Sequence, residues 1–90
     1  MTLYKVPNLN IHLLIEEKGL TSNGNRRLKI TPFQWIGFFT LAGGEYQEAS
    51  NICTFIKNEM GGRISRDGES ITISGMDYSN FIIEFNKKIK

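Results

Sequence analysis

The residues able to do chemistry in this 90-residue chain are mainly cations and hydroxyls. Arg26, Arg27 and Lys29 form one basic cluster, and Arg63 with Arg66 forms a second. Ser65, Ser70, Thr72 and Ser74 lie beside the second cluster. Guanidinium and ammonium groups so placed contact phosphates, which gives affinity without sequence information, and hydroxyls can donate to phosphates or bases. Solvated loop and sheet positions and polar cross-strand pairs account for the same residues equally well. His12 is the only histidine and has no cysteine or carboxylate cluster at ligand spacing, so a metal site is not expected. No nucleophile–base pairing, phosphate-cradling glycine loop or zinc pattern is present, and no cofactor is implied. The lone Cys53 falls on an apolar helix face, where a packed thiol is expected, and an internal disulfide framework is excluded.

The composition is that of an ordinary globular chain, 40% apolar and 22% charged, which argues against disorder. Its longest apolar run is too short to cross a bilayer, so no membrane role is expected. The net charge of +2 is mild, so placement of charge matters more than its sum. The N-terminus shows no hydrophobic signal core, and Glu16-Glu17 argues against an arginine-rich transit peptide. Twelve Ile and eight Asn against two Ala would follow from AT-rich coding, as in organelle genomes.

The elements that must position the cations are read from periodicity and turn signals. Residues 1–8 are a lead-in ending at Pro7-Asn8. Leu9 to Lys18 fits a helix capped by Asn8 and stopped by Gly19, through Ile11, Leu14 and Ile15. It also fits a strand, through alternating Leu9, Ile11, Leu13 and Ile15, and the helix is preferred. Residues 21–27 read as a polar loop, with Lys29 extending its charge. A central helix is expected over Pro32 to Ala42, with a Thr31/Gln34 capping box, Pro32 at the first helical position and an Ile30/Trp35 staple. Phe33, Trp35, Ile36, Phe38, Phe39 and Leu41 leave that helix no polar face, so it needs burial on more than one side. The aromatic residues there suit core or interface packing better than a base-stacking platform.

Ala49, Ile52, Cys53, Ile56 and Met60 predict an amphipathic helix from Glu45 to Met60, stopped by Gly61-Gly62. The Asp67-Gly68 turn predicts a hairpin pairing Arg63 with Thr72, Ile64 with Ile71, Ser65 with Ser70 and Arg66 with Glu69. Ile64, Ile71 and Ile73 would face the core, and Arg63, Ser65, Ser70, Thr72 and Ser74 the other side. Asp77 is placed to cap a closing helix to about Lys88, burying Phe81, Ile82, Phe85 and Ile89 and ending in lysines that favour its dipole. The class is α+β, with an N-terminal extension over 1–29, holding a helix and a basic loop, and a domain over 30–90.

Three stretches together resemble the LAGLIDADG homing endonuclease repeat. Trp35-Ile36-Gly37-Phe38-Phe39-Thr40-Leu41-Ala42-Gly43 can be laid on the family motif without a gap. Ile56 to Ile64 resembles the family's helix, double glycine and strand entry, and Asp77 to Lys88 its closing helix. The resemblance implies a fold of motif helix, amphipathic helix, β-hairpin and C-terminal helix. It implies that Trp35, Ile36, Gly37, Phe38 and Phe39 pack on a partner protein or a second copy, and that a sheet face contacts nucleic acid.

Thr40 and Ala42 stand where the family places its acids, so metal-dependent cleavage is not expected. Glu45 and Glu48 fall past the helix end where the metal geometry is set. The family hairpin between motif helix and next helix is also missing, which implies a truncated sheet. The function expected is that of a catalytically inactive accessory protein in a nucleoprotein particle. It would bind RNA or DNA through Arg26, Arg27, Lys29, Arg63 and Arg66, with a mitochondrial ribosome as one home. The alternative is a protein-assembly subunit or homodimer built on the motif helix, and the least favoured a residual Mg-dependent nuclease.

Overall fold

A computed structural model describes residues 2–9, 11–20, 26–33, 43–66, 68 and 70–89. Its elements are β1 (Thr2–Lys5), β2 (His12–Leu20), β3 (Arg26–Pro32), α1 (Gly43–Met60), β4 (Arg63–Ile64), β5 (Ile71–Ser74) and α2 (Tyr78–Ile89). The five strands form one antiparallel sheet in the order β1-β2-β3-β5-β4. The α+β class therefore holds, and the sheet is larger than the single hairpin expected from local signals. Strands from before residue 33 pair with strands from beyond residue 62 through β3 and β5.

The helix expected over Leu9 to Lys18 is instead strand β2. Its alternation decides the matter, because Ile11, Leu13 and Ile15 are buried while His12, Leu14 and Glu16 are only half-buried. A helix would bury one stripe, whereas β2 lies between two strands and buries every second residue. Asn8, expected to cap a helix, has φ 65° and turns β1 into β2; asparagine tolerates that left-handed conformation. Gly19, expected as a helix stop, has φ +81° and sits where the β2–β3 register shifts between Glu17 and Leu20. It makes a β-bulge, a usual place for a left-handed glycine.

The start expected for the central helix also gives way to a strand. Thr31 and Pro32 are the last residues of β3, opposite Leu14 and Leu13. The Gly75 amide donates to the Arg26 carbonyl at 2.6 Å, which sets the alternation so that even-numbered residues of β3 direct their backbone groups towards β5. Among the described residues the last β3–β5 pair is Ile30 with Ile71, and Pro32, which has no N–H to donate, lies past it. Residues 34–42, which carry the rest of that expected helix, lie outside the described residues.

The C-terminal half follows its local signals. Helix α1 buries Ala49, Ile52, Cys53 and Ile56, with Met60 packed at the margin. Gly61, with φ +73°, ends it in the left-handed conformation expected at a helix stop. Strands β4 and β5 pair in the expected register, Arg63 with Thr72 and Ile64 with Ile71, and the Ser65 amide donates to the Ser70 carbonyl at 2.9 Å. Two burial expectations are corrected: Ile64 lies on the core side as expected but on an edge strand and is 50% exposed, while Ser70 is buried in the hairpin neck, where its amide donates to the Ser65 hydroxyl. Asp77 caps α2 as expected, its carboxylate accepting from the Asn80 amide at 2.8 Å. Phe81 and Phe85 are fully buried, and Ile82 and Ile89 are partly so.

Gly62 is where the α1 stop meets the sheet. A Cβ there would lie 2.6 Å from the Ile71 Cγ2 and 3.2 Å from the Ile56 Cγ2, both on fully buried side chains. Neither methyl can retreat without moving the core. Gly62→Ala is therefore expected to destabilise the fold by about 1–3 kcal/mol, the usual range for overpacking. Urea unfolding at equal protein concentration measures it.

Candidate nucleic-acid interface

The strand registers divide the sheet into two faces. Leu13, Ile15, Leu28, Ile30, Pro32, Ile71 and Ile73 line the face under α1 and α2, at 2% exposure or less. The opposite face, read from the same registers, is organised in rows across the strands. One row runs Glu16, Lys29, Thr72, Arg63 through β2, β3, β5 and β4. Beside it Arg27 stands opposite Ser74. In the other direction come a neutral row of Leu3, Leu14 and Thr31, and then Lys5 opposite His12.

Three of the five expected cations are thereby brought together. Lys29 and Arg63 are two strands apart, about 10 Å between backbones, and Arg27 is two residues along β3 from Lys29, about 7 Å. Thr72 lies between Lys29 and Arg63, and Ser74 is exposed. Among the described residues, Lys5, Arg27, Lys29 and Arg63 form no ion pair; the pairs present are Lys18–Glu16, Arg26–Glu17 and Lys87–Glu84. These cations can donate to phosphate oxygens with no ion pair to break first among the described residues.

Arg26 and Arg66 are placed elsewhere. Arg26 alternates with Leu28 onto the helix-covered side, where its guanidinium lies 4.0 Å from the Glu17 carboxylate. Arg66 is exposed at the hairpin turn, outside the rows. Trp35, Ile36, Gly37, Phe38 and Phe39, expected at a partner interface, lie outside the described residues. Lys5 and Lys18 join the open face without having been expected there. For Lys18 the signal was the polar half of the alternation that buries Leu13 and Ile15, and Lys5 is placed by its pairing with His12.

Other features offer no comparable site. A cavity of about 270 Å³ is lined by Pro7, Asn8, Leu9, Asn86 and Ile89. Its Asn86 amide is already satisfied, accepting from the Tyr4 hydroxyl at 3.0 Å and donating to the Ile82 carbonyl at 3.0 Å. A smaller cavity at the bulge mixes Arg26 and Arg27 with Glu17 and Asp77, so its charges oppose one another. Among the described residues no three His, Cys, Asp or Glu side chains gather to hold a metal, and no helix is long and apolar enough to cross a membrane.

Burial pushes the Cys53 thiol from 9.0 up to about 12, so it stays protonated and packed. The native state thus keeps a proton that the unfolded chain releases above its ordinary value. Stability from this residue is full below about pH 9 and is lost as pH rises towards 12, by at most about 1.4 kcal/mol per unit. Urea unfolding at pH 8 and pH 10 should show a decline that is smaller in Cys53→Ala.

No family model, curated protein or solved structure matches the chain.

Proposed function

We propose that the chain is a non-catalytic accessory protein that binds the phosphate backbone of RNA or DNA on its open sheet face, within a nucleoprotein particle. The observation carrying this reading is the convergence of Arg27, Lys29 and Arg63, with Thr72 and Ser74, on the face away from the helices. Cations unpaired among the described residues, on an exposed antiparallel surface, suit a polyanion better than a neutral partner. The resemblance to the homing endonuclease repeat supports the same ligand class. Thr40 and Ala42, at its acid positions, support binding without cleavage. The Ile- and Asn-rich composition makes a mitochondrial ribosome the particle to examine first.

Two measurements test the proposal. Native protein from its source should sediment in a large particle that collapses on ribonuclease treatment. Purified protein should bind labelled RNA or DNA with an affinity that falls steeply with salt, and should leave it uncut in Mg²⁺. Unchanged sedimentation together with salt-independent or absent binding sinks the nucleic-acid reading, and Mg²⁺-dependent cleavage sinks the non-catalytic one.

A further inference from the structure

Resting on that nucleic-acid reading, we infer that Glu16 bounds the footprint, holding Lys18 out of the phosphate contacts and turning the polyanion away from β1 and β2. Glu16 is the one carboxylate among the described residues of the row Glu16–Lys29–Thr72–Arg63, and it lies directly opposite Lys29. Its Oε2 is 3.0 Å from the Lys18 Nζ, two residues along the same face. The pair sits at the β2 end of the row, with the carboxylate side chain 21% exposed and the ammonium 42%.

Two effects follow from this placement. Lys18 is neutralised by its neighbour and does not act as a free phosphate contact. The Glu16 carboxylate repels any phosphate that moves from Lys29 towards β2. Past Glu16 the next row is Leu3, Leu14 and Thr31, which holds no charge. Lys5 stands at the His12 row, four residues down β2 and about 13 Å from Glu16. The phosphate path is thus confined to β3, β5 and β4, with Arg27, Lys29 and Arg63 as its three cations. An acid at the margin of a basic patch selects a path by penalising the alternative, as negative elements do in other specific interfaces.

The test compares the salt dependence of binding to one RNA and one DNA oligonucleotide for the full chain and its variants, with circular dichroism confirming the fold of each. Three phosphate contacts give a slope of log K against log[salt] of about −2.7 on a duplex. Glu16→Gln frees Lys18 and removes the repulsion, so the slope should steepen by about 0.9 and affinity rise about eightfold at 0.1 M salt. Lys18→Gln alone leaves the Glu16 carboxylate uncompensated, so affinity should fall modestly while the slope, to which Lys18 does not contribute, stays at the parental value. Glu16→Gln with Lys18→Gln should return the slope to the parental value. Binding of the parent with an unchanged or weakened Glu16→Gln overturns the inference, and so does a flatter slope in Lys18→Gln alone. Failure of the parent to bind either oligonucleotide overturns the nucleic-acid reading itself and this inference with it.

Discussion

Phe85→Ala is expected to lower the unfolding free energy by about 3–5 kcal/mol, the range for truncating a buried aromatic residue. The ring is fully buried and among the described residues meets three others. It stacks on Phe81 with centroids 5.5 Å apart, and takes edge contacts from Phe55 at 5.8 Å and Tyr4 at 6.1 Å. Those partners come from α2 itself, α1 and β1, so one side chain joins both helices to the sheet's first strand. The Tyr4 hydroxyl donates to the Asn86 Oδ1 at 3.0 Å and ties β1 to α2 beside the same cluster. A chain of this length has a total stability of about 5–13 kcal/mol, so the loss removes a large share. In urea the midpoint should fall by about a quarter or more with little change in slope. Phe85→Leu, which keeps much of the volume, should lose clearly less. A loss under about 1 kcal/mol for Phe85→Ala would mean that the cluster does not hold the layers together.

What could be read before folding was whatever is decided within a few residues. Helix α1 shows its buried stripe at spacings of three and four, and Gly61-Gly62 ends it. The β4–β5 register is the one that the Asp67-Gly68 turn signal predicts, and α2 follows from its Asp77 cap and apolar face. Strand β2 was not decided locally. Leu9 to Lys18 satisfies a helical and an alternating pattern at once, and the neighbouring strands β1 and β3 select the second. The same holds at Ile30 to Phe33. Thr31 and Pro32 carry the signals of a helix start, yet Ile30 is paired on both sides, with Ile15 and Ile71, and the strand runs on through Pro32. A proline at the end of a strand and one at a first helical turn look alike in sequence, since neither has an N–H to donate.

The interface was half legible for a related reason. Clusters of charge along the chain suggested Arg26 with Arg27 and Arg63 with Arg66. In a strand, adjacent residues face opposite sides, so Arg27 joins the open face while Arg26 turns towards Glu17. Lys29 and Arg63 are far apart in the chain and meet only because β5 pairs with both β3 and β4. That pairing is set by Leu28, Ile30, Ile71 and Ile73 seeking the core, not by anything the cations do. Lys18 became visible as part of the face only once β2 was known to be a strand.

Replacing Arg27, Lys29 and Arg63 together by Gln is expected to lower affinity for RNA or DNA about 500-fold at 0.1 M salt, if each cation supplies one phosphate contact on a duplex. The magnitude follows from counterion release, which for three contacts gives a slope of about −2.7 and near zero once they are gone. All three side chains are exposed or half-buried and unpaired among the described residues, so stability should move by no more than about 0.5 kcal/mol. The loss should be the same for unrelated sequences, because phosphates rather than bases are contacted. Arg26→Gln is the informative control, since it removes one charge from the same stretch of chain but from the other face of the sheet. If Arg26→Gln weakens binding as much as Lys29→Gln, overall charge governs the affinity and the sheet face does not. If only the open-face substitutions act, three residues drawn from two strands in different halves of the chain form one surface because the core aligned them.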